Sequence, residues 1–488
     1  MIVGGGPIRI GQGVEFDYCT VHAVRALRAE GVRAHVVNNN PETVSTDYDT
    51  SDGLFFDPIT AEEVADVIEA TDADGVMVQF GGQTSVDVGE PLRAEIERRG
   101  LDCEIMGTSV EAMDLAEDRD RFNRLLDDRG IAQPEGGSAT SEAEALELAG
   151  EVGYPVLVRP SYVLGGRAMA VVHGDDELRE YLTEAIRVSP EKPVLVDEYL
   201  ADAVELDADA VADGEDVLVG GVMEHVEAAG VHSGDSACVV PPRSLDGETL
   251  ARVREVVEEI AHALGAVGLL NVQLAVQGSG ADAEVYVLEA NPRSSRTVPF
   301  VSKATGVPIA KAAAKVMAGH ALAELDYEER VPEQSSVKEV VLPFDRLPGA
   351  DPRLGPEMNS TGEVMGTAET FAAAYGKAQY AADGLPSGGR AVVDLPVEGL
   401  ERQFEVVAPE AVEHEDVPAA VRAGEVDYLV SDDERALRAA VEEGLPYCST
   451  TEAARAVVAA LDADATADVD VCPVGERPRT RREWGTGD

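Results

Sequence analysis

The stretch Leu269-Leu270-Asn271-Val272-Gln273-Leu274-Ala275-Val276, followed beyond Gly278 by Glu284-Val285-Tyr286-Val287-Leu288-Glu289-Ala290-Asn291, reads as two antiparallel β-strands. Both segments alternate in period two, as half-buried strands do. With the turn at Gly278 to Glu284, positions whose numbers sum to 562 face each other, which sets Gln273 opposite Glu289 and Asn271 opposite Asn291. All four then share one face. One carboxylate and several amide oxygens on neighbouring strands form a hard-oxygen set suited to Mg2+ or Mn2+, ions that keep waters and phosphate oxygens in such sites. The same residues would also serve as a hydrogen-bonded polar face on a half-exposed sheet. The continuation Pro292-Arg293-Ser294-Ser295-Arg296 favours the metal reading, because two guanidinium groups beside a carboxylate suit an anionic substrate or a transferring phosphoryl group. Arginines paired only with surface acids are the alternative.

Further constellations lie upstream. Arg159-Pro160-Ser161-Tyr162-Val163-Leu164-Gly165-Gly166-Arg167 is a strand running into a glycine turn flanked by two arginines, a pattern that lets backbone N–H groups approach phosphate oxygens. Glu198-Tyr199-Leu200 and Glu205 follow a buried strand, where exposed backbone could read an adenine and a carboxylate could accept from ribose hydroxyls. The loop from Gly230 to Ser236 carries His232, and a lone histidine is more often structural than catalytic. The opening Gly4-Gly5-Gly6-Pro7-Ile8-Arg9-Ile10-Gly11-Gln12-Gly13 lacks both the GxGxxG spacing and the Lys-Ser/Thr of a P-loop, although a strand-to-helix glycine loop can still offer N–H groups to a small anion.

Around these motifs the chain divides into three. Short apolar strands alternate with amphipathic helices through residue 110 (strands near Ala34 to Asn38 and Gly75 to Gln79, helices near Glu15 to Glu30 and Ala61 to Ala70), the pattern of a doubly wound parallel α/β sheet. Its opening Met1-Ile2-Val3 is short for a strand, which suggests that sequence upstream is missing. Residues 111–384 read as an α+β body: one helical segment to Arg129, then antiparallel strands, a long helix from Gly247 to Leu264, and a Pro/Gly-rich connector from Pro343 to Met365. Residues 385–488 return to α/β alternation, and the last twenty or so look frayed.

The 488 residues carry 39 basic and 93 acidic side chains, a net charge of −54, which excludes a nucleic-acid binder because a phosphate backbone would be repelled. Only six of the basic residues are lysines, and the acids are spread over every segment, a composition suited to a saline cytoplasm and expected to need salt for stability. Five dispersed cysteines, none in a CxxC pair, indicate neither a disulfide framework nor a zinc site. No apolar run of membrane-spanning length and no signal peptide is found. A cytoplasmic location is expected.

Seven strings, GGGPIRIGQGVEFDYC (4–19), NNNPETVSTDYDTSD (38–52), QFGGQT (79–84), RPSYVLGGRAM (159–169), MEHVEAAGVHSGDSAC (223–238), NPRSSRTVPFVSKATGVP (291–308) and GPEMNSTGEVMG (355–366), together resemble the C-terminal half of the large subunit in the carbamoyl phosphate synthetase family, with residues 1 to about 380 covered. The resemblance implies a pre-ATP-grasp domain, an ATP-grasp domain and a small allosteric domain resembling methylglyoxal synthase. It implies a ligase that phosphorylates carbamate with ATP, giving carbamoyl phosphate and ADP for arginine and pyrimidine synthesis. Carried onto this sequence, Arg121, Arg159, Gly165 and Gly166 would bind ATP phosphates, with the glycine turn closing as a lid. Glu198, Leu200 and Glu205 would hold adenine and ribose, and Gly230, Val231, His232 and Ser233 would line the nucleotide site. Gln273, Glu289 and Asn291 would hold Mg2+ or Mn2+, Arg293 and Arg296 would stabilise carbamate and the transferring phosphoryl group, and a monovalent cation, K+, is implied near Glu205 and Ser236.

The resemblance also has gaps. The family's other half, which makes carboxyphosphate and receives ammonia, has no counterpart, so a gene fragment or a piece of a split subunit is expected, partnered by that half and by a glutaminase small subunit. In the last hundred residues the family's Thr-His-Gly phosphate loop is replaced by Val406-Val407-Ala408-Pro409-Glu410, and the support for nucleotide or ornithine regulation goes with it. Two further readings stand beside this one: another ATP-grasp acyl-phosphate ligase, such as a biotin-carboxylase-like protein, which the strings 291–300 and 355–366 disfavour, and a chain that binds ATP for regulation without turnover.

Overall fold

The computed structural model of the protein describes residues 1–9, 11–160, 169–188, 193–382, 384–463, 479–480 and 484. Strands β1 (Ile2–Val3), β2 (His35–Val37), β3 (Gly53–Phe55), β4 (Gly75–Met77) and β5 (Glu104–Met106) form a parallel sheet in the order β3-β2-β1-β4-β5. Its central strands β1 and β4 are apolar and buried, as expected of a parallel sheet covered on both faces, and the helix Glu15–Ala29 buries Phe16, Cys19, Ala23, Val24 and Leu27.

A small antiparallel sheet follows, built from β6 (Gly136–Ala139), β7 (Val156–Pro160), β8 (Ala170–Val172) and β9 (Val194–Glu198) in the order β6-β9-β7-β8. The expected single helix to Arg129 is two, Val110–Glu117 and Arg119–Arg129, because Asp118 breaks the first and caps the second by accepting from the Arg121 N–H at 3.0 Å.

The large antiparallel sheet takes β10 (Val204–Asp213), β11 (Val217–His225), β12 (Cys238–Val240), β13 (Val267–Gln277) and β14 (Glu284–Asn291). A two-residue strand β15 (Val331–Pro332) lies outside it, and β16 (Ser335–Val341) and β17 (Gly362–Ala368) complete the order β14-β13-β10-β11-β12-β16-β17. The supposed connector thus ends as an edge strand, β17, whose Gly362 and Gly366 masked its strand pattern. The helices Gly247–Leu264 and Ile309–Met317 pack here, and one apolar core runs from Ile2 and Met77 of the first sheet through Leu206, Val272 and Ala313.

A parallel four-stranded sheet closes the chain, β18 (Gly389–Val393), β19 (Phe404–Val407), β20 (Tyr428–Val430) and β21 (Tyr447–Cys448), in the order β19-β18-β20-β21. Of the last twenty or so residues, most lie outside the described ones; among those described, β22 (Arg479–Thr480) pairs with β15, and Trp484 is buried in the main core, where a Cβ added at Gly221 would lie 3.7 Å from its ring. An indole removes a large apolar surface from water, so the burial of Trp484 anchors that residue in the core.

Candidate active site

The register expected from the sequence is present where it matters. Asn271 faces Asn291 and Gln273 faces Glu289, while a bulge at Leu288 shifts the pairing near the turn so that Leu274 faces Val287. Across the other edge of β13, Asp207 faces Gln273 and Asp209 faces Asn271. Opposed residues share a face, so two rows run across three strands: Asp207, Gln273, Glu289 and Asp209, Asn271, Asn291. Asp207, Asp209 and Asn271 are buried, and Gln273, Glu289 and Asn291 are half-buried.

The outer corner holds the candidate metal donors. Asn291 Nδ2 donates to Glu289 Oε1 at 2.9 Å, and Asn291 Oδ1 accepts from Arg293 Nη2 at 3.0 Å. The Glu289 carboxylate with the carbonyl oxygens of Gln273 and Asn291 is an all-oxygen set that fits Mg2+ or Mn2+. Among the described residues no cluster of three or more His, Cys, Asp or Glu side chains forms a cage of its own, so waters and phosphate oxygens would fill the remaining positions.

The arginine turn after β14 is bolted from two sides. Gln79, at the end of β4, donates from Nε2 to the Pro292 carbonyl at 2.6 Å, and its main-chain carbonyl accepts from the Ser294 N–H at 2.8 Å. This fit requires Gly107 and Gly268, since a Cβ at either would lie 2.2 or 2.8 Å from Gln79 Oε1, and both have positive φ. Gln83 accepts from Arg293 Nε at 3.1 Å. From the sheet side, Asp209 accepts from Ser295 Oγ at 2.7 Å and Thr297 Oγ1 at 2.6 Å. Arg296 reaches Ser233 Oγ at 3.2 Å and touches the Met358 sulfur, with Gly234 leaving room for its guanidinium.

Charge is arranged in a buried chain. His225 bridges Asp207 (Nε2 to Oδ2, 2.9 Å) and Glu205 (Nδ1 to Oε2, 3.3 Å). Burial opposes its protonation, but Cys238, Asp207 and Glu205 outweigh that and raise its pKa well above the usual imidazole value. Asp207 is held below the ordinary carboxylate range despite burial, through His225 and Asn271. Burial drives Asp209 up to about 6, against the pull of Thr297 and Ser295 and with the help of Asp207. His232 is the reverse case: burial and then Arg296 lower it to about 3. Its Nδ1 accepts from the Gly234 N–H at 2.9 Å, so the neutral ring carries its proton on Nε2 and is a donor.

Of the other nucleotide candidates, Glu205 also accepts from the Gly230 N–H at 3.0 Å, which seats the loop carrying Val231 and His232. Leu200 lies in a small apolar cluster with Ala203, Ala229 and Ala275, beside Glu198 at the end of β9. Arg159 stands on β7, and both it and Arg119, which pairs with the buried Asp197 at 2.7 Å, oppose the burial that raises that carboxyl's pKa. Arg121 is drawn to Asp114. Gly165 and Gly166 lie outside the described residues. Sequence reasoning missed Gln79, Gln83, Asp207, Asp209, His225 and the buried Lys338, which donates to the Ser233 carbonyl at 3.3 Å. The available signal was Glu205-Leu206-Asp207-Ala208-Asp209, three acids in period two between small or apolar residues.

Residues 1–115 match the family model described as the carbamoyl phosphate synthase preATP-grasp domain, and residues 118–325 match that of the carbamoyl-phosphate synthase L chain, ATP binding domain. The carbamoyl phosphate synthase large chain of Halobacterium salinarum is 76% identical over 486 residues, covering 99% of this chain. The chain belongs to the carbamoyl phosphate synthase large-chain family. It spans about half the length of the curated relatives it matches: 46% of the Halobacterium protein, and 47% of the Methanosarcina acetivorans large chain, to which it is 53% identical. Among solved structures, the biotin carboxylase domain of Hydrogenobacter thermophilus 2-oxoglutarate carboxylase, crystallised with MgADP and bicarbonate, aligns with a TM-score of 0.59 at 17% identity over 77% of this chain and 88% of that one. Campylobacter jejuni biotin carboxylase aligns at 0.56 and 18% identity, over 70% and 75%. At that identity the likeness is one of fold alone. Among the described residues no helix is long and apolar enough to cross a membrane.

Proposed function

We propose that this chain is the carbamate-phosphorylating, C-terminal half of a carbamoyl phosphate synthase large chain, an ATP-dependent ligase step in which a carbamate oxygen attacks the γ-phosphorus of ATP, the bond to ADP breaks, and carbamoyl phosphate forms. The observation that carries the reading is the pair of side-chain rows across β10, β13 and β14, with Glu289, Gln273 and Asn291 at one corner and Arg293 and Arg296 beside them. The Hydrogenobacter domain, which shares this fold and was crystallised with MgADP and bicarbonate, supports the same ligand class.

Mg2+ or Mn2+ at Glu289, Gln273 and Asn291 would neutralise phosphate charge and polarise the γ-phosphoryl group. The chain's own residues do the rest by positioning and charge, because such transfers need no covalent enzyme intermediate. Arg296 and Arg293 face the anionic acceptor and the transferring group, neutral His232 donates from Nε2 to a nucleotide oxygen, and Leu200 with Glu198 and Glu205 lines the base and ribose end. A monovalent cation near Glu205 and Ser236 would join a cluster that already holds His225. Residues 1–110 are assigned to the pre-ATP-grasp domain, 111–384 to the ATP-grasp domain and 385–488 to a methylglyoxal-synthase-like domain, with a carboxyphosphate-forming half and a glutaminase subunit as partners.

The test is ATP formation from ADP and carbamoyl phosphate in high salt, with and without a co-expressed small subunit. ATP formation that depends on Mg2+ or Mn2+ is expected; none in either preparation would overturn the proposal.

A further inference from the structure

Asp209 sits in the middle of β10 between Ala208 and Ala210, and is 1% exposed. A carboxylate there is costly unless its oxygens are saturated. It accepts from Asn271 Nδ2 at 3.0 Å, Ser295 Oγ at 2.7 Å and Thr297 Oγ1 at 2.6 Å. Asn271 and Ser295 share Oδ1 and Thr297 takes Oδ2, so the carboxylate accepts all three, whereas an amide in its place would turn an NH2 toward Thr297 and reverse that bond. Two of the three donors are the residues immediately before and after Arg296. Ser295 Oγ also accepts from the Thr297 and Val298 N–H groups at 3.2 and 3.3 Å, which starts the helix Val298–Thr305. Among the described residues no carboxylate lies within salt-bridge distance of Arg296; its guanidinium touches Ser233 and Met358. Its direction is therefore set by the turn and leaves the charge open to an anion.

We propose that Asp209 is a positioning residue, whose buried carboxylate clamps Ser295 and Thr297 and so holds Arg296 toward the transferring phosphoryl group. The inference rests on the reading of Arg296 under the proposed function, but the clamp itself can be tested apart from it. His225, Asp207 and Asn271 connect this clamp to Glu205 and the nucleotide loop in one hydrogen-bonded line.

The experiment compares the full wild-type chain with Asp209→Asn, Thr297→Val and Thr297→Ser in high salt, by crystal structure and by ATP formation from MgADP and carbamoyl phosphate. Asp209→Asn is expected to lower turnover about 100-fold, the scale of a misplacement of about 1 Å, with the KM for ADP within about twofold. It should add nothing to the loss in Arg296→Ala, and Arg296 should leave Ser233 in the crystal. Thr297→Val should give a smaller loss of the same kind and Thr297→Ser should restore activity, a pair that still decides the matter if Asp209→Asn fails to fold. Arg296 unmoved in a variant structure, losses that multiply with Arg296→Ala, or kcat and KM changing together would overturn the proposal. A wild-type chain that forms no ATP would sink the functional reading instead, and the crystal comparison alone would then decide the clamp.

Discussion

Replacing His225 by leucine tests the buried charge chain that underlies the site. The imidazole joins Asp207 at 2.9 Å and Glu205 at 3.3 Å, with side-chain exposures of 3% for His225 and 2% for Asp207. An exposed pair of this kind would contribute only about 0–1 kcal/mol. Here the substitution strands the Asp207 carboxylate with one remaining amide donor, Asn271 at 3.1 Å, and removing one partner of a buried pair costs about 3–5 kcal/mol. The chain has a single tryptophan, Trp484, inside the core on which β11 packs, so urea unfolding in molar KCl can be followed by its fluorescence. His225→Leu should lower the unfolding free energy by that amount, and His225→Leu/Asp207→Leu should recover most of it. The pH dependence has a definite sign. Because the folded pKa of His225 is raised, its stabilisation is fully present below the unfolded value of about 6.5 and is lost as pH rises through the folded value; Asp207, lowered, loses its contribution only as pH falls below about 3.8. Wild type should therefore weaken from neutral into alkaline pH while His225→Leu stays flatter. A loss under about 1 kcal/mol with the alkaline slope unchanged would refute the reasoning.

Glu289→Ala should abolish ATP formation from ADP and carbamoyl phosphate and leave far-UV dichroism unchanged; retained activity removes the metal assignment. Gln79→Ala leaves the Pro292 carbonyl without its donor and should cost about 1–3 kcal/mol in urea unfolding, together with turnover, as the arginine turn loosens. Gly234→Ala places a methyl carbon 2.6 Å from Arg296 Nη1, so turnover should drop while calorimetric binding of MgADP holds, and unaltered turnover would show that Arg296 has slack. Dialysis into dilute buffer should partly unfold the −54 chain, read as lost ellipticity at 222 nm, and a spectrum that does not change would count against charge repulsion.

Period-two alternation and a countable turn were enough to place Gln273 against Glu289 and Asn271 against Asn291, because register leaves no freedom once one face is buried. The same rule misplaced the turn-proximal pairs by one, since a bulge at Leu288 has no signature in composition. Asp207 and Asp209 lay in plain view but carried no local signal of function: only the fold shows that their partners are His225 on the next strand and a turn near residue 296. Gln79 is further beyond reach, since its bond to Pro292 spans 213 positions and depends on two glycines elsewhere. Trp484 was not legible as a core residue, because the charges around it are local while the pocket that receives it is not.

The acidity of the chain and the chemistry of its site bear on each other. A net charge of −54 repels a polyanionic nucleotide as surely as it repels itself. In molar salt the Debye length falls to about 3 Å, so surface acids cease to act on anything beyond their immediate neighbours. Half-buried Arg293 and buried Lys338 are screened far less, and Arg296, bonded to Ser233, has no carboxylate within salt-bridge distance among the described residues. The salt that silences the exterior therefore leaves the interior cations at nearly full strength. One condition would then serve both demands, holding the chain compact and letting a triphosphate approach a local positive field that the net charge conceals. The Asp209 clamp belongs to this division: hydroxyl and amide donors saturate the acid, so it orients Arg296 without consuming the arginine's charge.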